Sequence, residues 1–364
     1  MVHCVSEEVG FSLEEIHHSY GGSQVITGLN MMGRQSEVVC MLGASGCGKT
    51  TTLKVIAGLE RQMRGIVRVD GNVVSDEARH LPPGKRQVGL LFQDYALFPH
   101  MTVLQNVMFG IREKDVFNRR HIAMNFLERL RISHLADHYP HALSGGEQQR
   151  VALARAVAPS PRVVLMDEPF SSLDTRLRNT VRDETLALLR EENATVVLVT
   201  HEPDEALRMA DIIVFMRAGR IMQQGEPYHI YNYPVDRITA EFFSDVNIIR
   251  SVVRYQQADT VLGRVLTPGF VDGDSIEIVF RPQSLNVSLE EHGQYRHIPW
   301  RQSHDCARGF INRSFFLGSH SLLEVRMPHD DSVLIATVPG VCLPEKGSKI
   351  WLSLIRSECF IFKA

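Results

Sequence analysis

Along the first two-thirds of the chain, apolar residues come in short unbroken runs rather than in alternation. EVVCML (37–42), RVVLMDEP (162–169) and TVVLVTH (195–201) each read as a strand buried on both faces. Between them the period changes. KTTTLKVIAGL puts Leu53, Ile56 and Ala57 on one helical face, and TRLRNTVRDETLALLREE (175–192) does the same for Leu177, Val181, Leu188 and Leu189. Buried strands alternating with helices predict an α/β fold with a mainly parallel sheet and right-handed crossovers. Residues 95–155 have a different texture: RRHIAMNFLERLRI spaces Ile122, Phe126, Leu127 and Leu130 at helical intervals. This predicts a helical insertion into the α/β domain.

From about residue 241 the pattern shortens. SIEIVF, SLLEVRM, SVLIATV and KIWLSLI are β-like runs separated by the turn stretches DGD, LGS and EKG. Such spacing predicts a small all-β sandwich or barrel. The 251–310 region is poorly patterned and yields no strand limits. The chain thus divides into an α/β domain at 1–240 and a β domain at 241–364, in keeping with 364 residues and the usual ~100–200 residues per domain.

Composition narrows the classes. A hydrophobic share of 44% with 22% charged residues fits an ordinary globular protein. A net charge of −3 gives no global electrostatic case for nucleic acid. The six cysteines form no Cys-x-x-Cys pair, which argues against a zinc ribbon or a redox motif and for a reducing compartment. The opening MVHCVSEEVGFSLEE is too acidic for a signal peptide. No apolar run approaches the ~20 residues of a membrane span, so a membrane connection is expected to run through a partner.

Chemistry concentrates at strand ends. Gly43, Ala44, Ser45, Gly46, Cys47, Gly48, Lys49 and Thr50 match G-x-x-x-x-G-K-[ST] between a strand and a helix. The glycines let backbone amides cradle phosphates, and the helix start adds a partial positive charge. Lys49 is expected to reach the β- and γ-phosphates and Thr50 to ligate Mg²⁺. Thr51, next along, joins the ATP-binding set, and Cys47 is expected to be a small filler. Asp167 and Glu168 end an apolar strand. Carboxylates often stand there for structural reasons; beside a phosphate loop, Asp167 suits the Mg²⁺ shell and Glu168 suits polarising a water for in-line attack. His201 ends the strand TVVLVT, where a histidine is either structural or a γ-phosphate contact at the ligand-binding edge of a parallel sheet. Gln93 enters the helical piece and can sense Mg²⁺ and the attacking water. Tyr20 is either a core tyrosine or a ring stacked on adenine.

LSGGEQQR (143–150) raises a separate question, because it resembles a second anion-binding helix start. Ser144 suits an N-cap, Gly145 and Gly146 permit close backbone approach, and Glu147 follows in the first turn. A second such site makes sense if it serves the nucleotide of another subunit. Two copies paired head to tail would then sandwich ATP in two equivalent sites.

In this order, these residues resemble the ATP-binding cassette ATPases, a P-loop NTPase family, over about residues 1–240. The resemblance implies ATP and Mg²⁺ as ligands, places Asp174 of SSLD (171–174) at the dimer interface, and makes 95–155 a helical subdomain that touches a permease. DYALFPHMTVLQNV looks like the surface that receives it. FRPQSL (280–285) and GFINRSFFLGSHSLLEV (309–325) resemble the OB-like, transport-associated β domain of importer ATPases. Two positions depart from the family pattern: Gln283 stands where an acid is common, and Ser36-Glu37 where Gly-Glu is usual. The resemblance implies an energy-coupling subunit on the cytoplasmic face of the inner membrane. Its partners would be a second copy, integral permease subunits and, indirectly, a periplasmic substrate-binding protein, with no nucleic acid. The general run of the sequence, including EFFSDVN (241–247), is most like the ferric iron group. Polyamine, sulfate, thiamine or sugar uptake is the alternative cargo. A soluble cassette for DNA repair or translation fits less well, because there is one cassette and no sustained heptad pattern. The β domain could also act as a ligand sensor.

Overall fold

The computed structural model describes residues 9–171, 173–289 and 306–364, without the side chains of 175–177. Cys4, Ser172 and the side chain of Leu177 lie outside the described residues. The chain forms two compact units, Met1–Ile230 and Tyr231–Ala364.

The first unit opens with strands β1 (Val9–Tyr20) and β2 (Ser23–Arg34), then β3 (Val38–Leu42), helix α1 (Lys49–Ala57), β4 (Arg64–Val69) and β5 (Asn72–Ser75). There follow β6 (Val88–Leu91), helices α2 (Val103–Met108), α3 (Val116–Arg129) and α4 (Gly145–Val157), and β7 (Val163–Asp167). The unit continues through α5 (Thr175–Glu191), β8 (Thr195–Thr200), α6 (Pro203–Met209), β9 (Ile212–Arg217) and β10 (Arg220–Gly225). These strands make two sheets, an antiparallel one ordered β2-β1-β4-β5 and a six-stranded one ordered β10-β9-β3-β8-β7-β6. Strands β9, β3, β8, β7 and β6 are parallel, and β10 closes the edge antiparallel to β9.

The parallel strands are the unbroken apolar runs: β3 is buried at every position, and so is β8. The antiparallel sheet is a finding of the structure. Its first strand, VGFSLEEIHHSY, alternates imperfectly because register shifts interrupt its pairing with β2, so its period is hard to see in the sequence. Phe11, Leu13 and Ile16 of β1 share one core with Leu53, Val55 and Ile56 of α1 and with Leu165 and Val197 of the parallel sheet. The helical piece holds three helices with conventional starts: Thr102 forms a capping box on α2, and Asp115 accepts from Phe117 N–H and Asn118 N–H on α3.

Two positions explain how the phosphate-loop region is supported from outside. Ser36 takes a positive φ of 62°, where a glycine would be unstrained. Its hydroxyl donates to the Asn193 carbonyl at 3.2 Å, and its N–H donates to Thr195 Oγ1 at 3.2 Å. At the far end of α1, the buried Arg86 guanidinium donates to the carbonyls of Val55 (2.8 Å), Ile56 (3.0 Å) and Leu81 (2.7 Å). Burial lowers its pKa to about 10, yet it stays charged and caps the end of α1, where the Val55 carbonyl also accepts the Gly58 N–H at 3.2 Å.

The second unit begins before the expected 240/241 boundary, because helix α8 (Arg237–Phe243), which follows α7 (Pro227–Asn232), joins the β domain. Arg237 of α8 pairs with Glu277 at 3.3 Å, and Phe243 is buried. Strands β11 (Asn247–Arg254), β12 (Gln257–Thr260), β13 (Gly263–Leu266), β14 (Ser275–Phe280), β15 (Leu285–Ser288), β16 (Ala307–Phe316), β17 (His320–Arg326), β18 (Val333–Pro339), β19 (Lys349–Leu354) and β20 (Phe360–Lys363) complete it. They form two five-stranded antiparallel sheets, β13-β12-β11-β14-β20 and β15-β19-β16-β17-β18. Both line one core that includes Ile276, Ile278, Phe280, Leu323, Val325 and Leu352, an arrangement that fits an OB-like barrel. Asn247 bridges to the backbone of Ile335 with both ends of its amide, at 2.8 and 2.7 Å. Arg281 lies over the Tyr231 ring at 3.6 Å and donates to Ser244 Oγ at 2.8 Å. Gln283, standing where an acid is common, donates to the Tyr231 hydroxyl at 3.1 Å.

Arg86→Ala would leave the Val55, Ile56 and Leu81 carbonyls without their buried donor. It is expected to destabilise the first unit by ~3 kcal/mol, read as a lower urea midpoint.

Candidate active site

Parallel pairing brings the ends of four strands to one edge of the sheet. Leu42 of β3 aligns with Thr200 of β8, Val199 of β8 with Asp167 of β7, and Met166 of β7 with Leu91 of β6. The chain therefore delivers the phosphate loop, His201, the Asp167-Glu168 pair and Gln93 from neighbouring strands, at the edge where open α/β sheets bind ligands.

The loop after β3 is shaped for an anion. Gly43 has φ 152° and Gly48 φ 107°, and a Cβ on Gly43 would lie 2.2 Å from the Met216 carbonyl oxygen. Only glycine fits that close approach. Lys49 is 5% exposed, and its ammonium donates to the carbonyls of Gly43 at 2.6 Å and Ala44 at 3.0 Å. Ala44 and Ser45 stand exposed at the loop's rim. Cys47 is buried against the loop, and burial pushes its thiol pKa up, as suits a filler.

Thr50 Oγ1 donates to Asp167 Oδ1 at 3.1 Å. Burial raises the Asp167 pKa, the Thr50 hydrogen bond opposes that, and the Glu168 charge adds to it. The pair suits a hard cation: a hydroxyl and a carboxylate offer oxygen ligands, and phosphate and water supply the rest. Among the described residues, no cluster of three or more His, Cys, Asp and Glu side chains forms a metal site.

Glu168 takes φ 45°, a left-handed backbone that costs a non-glycine residue ~1–2 kcal/mol. Its N–H donates to the Val199 carbonyl at 2.9 Å, and its own carbonyl accepts Ser171 Oγ–H at 2.9 Å. The carboxylate meets His201 Nδ1 at 3.2 Å, and Gln93 Nε2 lies 3.5 Å from its other oxygen. His201 Nε2 is also 3.5 Å from Glu202. Gln93, Glu168 and His201 are thus brought together as one constellation.

Tyr20 is 43% exposed and packs edge-on against His18 at 4.6 Å. This is no core tyrosine. Burial raises its pKa, and hydrogen bonding to Glu60 adds to the rise while Thr51 opposes it.

Ser144 and Glu147 lock the start of α4. The Ser144 N–H and hydroxyl both donate to one Glu147 oxygen, at 2.8 and 2.7 Å, and these bonds hold the Glu147 pKa down. Open space faces Gly145, where an added Cβ would meet nothing within 4 Å, while Gly146 is buried. The first-turn amides of a helix lack intrahelical acceptors. Among the described residues, no hydrogen bond or ion pair joins 144–147 to the phosphate loop, Asp167 or Glu168. Asp174 is exposed just before α5, and its carbonyl accepts Arg178 N–H at 2.9 Å.

Sequence reasoning passed over Thr200 and Glu205, and Ser171 entered only within the SSLD stretch (171–174). Glu205 reads as an ordinary acid in the first turn of a helix.

Burial makes the ionised form of Asp167 the costly one. The native state holds this proton to higher pH than the unfolded chain, so the group's contribution to stability falls as pH rises from its ordinary value near 4 through its raised native value. Asp167→Asn is expected to raise the nucleotide-free melting temperature at neutral pH, with the gain shrinking on acidification. Thermal melts from pH 4 to 8 test this.

Comparisons with known proteins agree with this geometry. Residues 26–171 match the ABC transporter family model. A spermidine/putrescine import ATP-binding protein of Desulfitobacterium hafniense is 33% identical over 364 residues, covering 99% of each chain. A putrescine transport ATP-binding protein of Escherichia coli is 34% identical, covering 94% of this chain and 91% of its own. A sulfate/thiosulfate import ATP-binding protein of Chromobacterium violaceum is 39% identical across 76% of this chain and 75% of its own. Among solved structures, a dimeric ATP-binding cassette bound to ADP and Pi has a TM-score of 0.53 at 29% identity, covering 60% of this chain and 98% of its own. With near-full-length relatives and a phosphate loop, carboxylate pair and histidine gathered on one sheet edge, the chain belongs to the ATP-binding cassette family of transporter ATPases.

Proposed function

We propose that the chain is the ATP-hydrolysing, energy-coupling subunit of an uptake transporter whose cargo is a polyamine. The observation that carries the hydrolytic reading is the Gln93–Glu168–His201 constellation beside the phosphate loop. Lys49 and the loop amides of 43–51 hold the phosphates, with Tyr20 stacked on the adenine. Thr50 and Asp167 hold Mg²⁺ with Gln93 nearby; the bound ion supplies neutralisation of phosphate charge. Glu168 accepts a proton from the attacking water, its carboxylate aimed by the fixed backbone at Val199. His201 holds Glu168 on one side and the γ-phosphate on the other.

The exposed helix start at 144–147 serves the nucleotide of a second copy. Its support is the gap beside Gly145 and the absence of any bond from it to its own phosphate loop among the described residues. The dimeric state named for the structural relative bound to ADP and Pi agrees. Asp174, exposed at the head of α5, would face the same seam. ATP favours the closed pair, and hydrolysis releases it, so a coupled permease is driven between states by differential binding.

The permease side is supported by a cleft of about 1100 Å³ lined by Phe92, Ala96, Phe98, Phe109 and Arg155. Phe109 is 62% exposed, and its ring packs on Phe98 at 4.6 Å. No helix among the described residues is long and apolar enough to cross a membrane, so attachment to the inner membrane's cytoplasmic face would come through such a partner.

The cargo reading departs from the ferric iron expected from the sequence. The relatives above that match nearly the whole chain are named for polyamines, and another for sulfate. Of the stretch EFFSDVN that pointed to iron, Phe243 and Asn247 are buried in the β domain, and buried residues there report a fold and not a cargo. A permease-bound complex whose ATPase rises with a binding protein loaded with putrescine or spermidine, and not with sulfate or ferric iron, would establish the cargo. Stimulation by iron alone would refute it.

Glu168→Gln should retain ATP binding, form an ATP-dependent dimer by size-exclusion chromatography, and lose hydrolysis about 100-fold or more. A charge in the cleft, Phe109→Glu, should leave the isolated subunit's ATPase intact and abolish co-purification of the permease from gently solubilised membranes.

A further inference from the structure

Behind His201 lies a buried carboxylate that the reading above leaves unused. Glu205, in the first turn of α6, is 3% exposed. Its Oε2 accepts Thr200 Oγ1–H at 2.7 Å, and Thr200 Oγ1 in turn accepts the N–H of Glu202 at 3.0 Å. The residue before His201 and the residue after it are therefore tied to one hydroxyl, and that hydroxyl is tied to Glu205. Burial raises the Glu205 pKa, and the Thr200 hydrogen bond and the charges of Arg178 and Arg182 on α5 oppose the rise. Arg178 donates from Nη2 to the Leu173 carbonyl at 3.1 Å, one residue before Asp174. Glu205 Oε1 and the Nε atoms of Arg178 and Arg182 are buried without a hydrogen-bond partner among the described residues. A carboxylate placed there only to fill space would be costly, since burying it loses hydration that an alkyl group never had.

We infer that Glu205 is a positioning residue for ATP hydrolysis: through Thr200 it sets the turn that presents His201 to Glu168. This rests on the role of His201 proposed above. The prior fixing of that turn spares the reaction the cost of ordering His201 each time.

The test uses the full chain with Thr200→Val, Glu205→Gln and His201→Ala, each alone and the first two combined with His201→Ala. Steady-state kcat and KM for ATP with Mg²⁺ are measured. Thr200→Val and Glu205→Gln are expected to lower kcat about tenfold with KM changed by less than about twofold, and Thr200→Ser to restore it. In the His201→Ala background each should cost nothing further, because residues that act through one another are non-additive. A general structural defect would instead multiply the His201→Ala loss, and that outcome, or unchanged kcat in both single variants, overturns the inference. If Thr200→Val fails to fold, Glu205→Gln carries the same comparison. Wild-type kcat in His201→Ala would overturn the role of His201 itself, a result that the other arms cannot mimic.

Discussion

Parallel strand pairing is the constraint on which the site depends. Each of β3, β8, β7 and β6 leads into one group of the candidate site, and only in-register parallel pairing sets those ends side by side. A slip of one residue between β7 and β8 would move Asp167 away from Val199 and turn the side chains that follow to the other face. The burial of β3 and β8 at every position opposes such slips, because α1 and the antiparallel sheet share one core with the parallel strands. The same pairing supplies the Glu168 N–H with its acceptor at Val199, so the strained backbone at the carboxylate is held by the sheet itself.

The helix start at 144–147 obeys a different logic. Its serine and glutamate satisfy each other and leave the helix amides for something else. In the phosphate loop, by contrast, the lysine turns inward onto its own carbonyls. The helix start faces open space beside Gly145, and that asymmetry is what the proposed ligand shared between two copies needs.

What was legible in the sequence was whatever has a short period or a fixed spacing. The three parallel strands stood out as continuous apolar runs, α1 by its stripe, and the phosphate loop by its glycines. Tyr20, Gln93 and His201 each kept a structural alternative until family likeness favoured the functional one, since one aromatic, one amide and one histidine carry no pattern. The antiparallel sheet was hidden because bulges break the alternation of β1. The β domain's early strands were hidden too: β11 is half exposed and β16 shifts register between Ile311 and Arg313. Long-range polar contacts had no signal at all. Arg86 meets Val55 across 31 residues, and nothing in a local window says that an arginine will be buried. Helix α8 reads as the end of the first domain until Arg237 is seen paired with Glu277.

The Lys49 ammonium, bonded to the carbonyls of Gly43 and Ala44, has a thermodynamic consequence for nucleotide binding. These two bonds brace the curl of the loop from within, which reduces the conformational entropy left to lose when phosphate arrives. Binding instead exchanges one set of acceptors for another around the same cation. The heat of binding should then understate the number of contacts formed, and nucleotide can leave without the loop unravelling behind it. For a motor that must release ADP on every cycle, such a preassembled cradle favours turnover over tenacity.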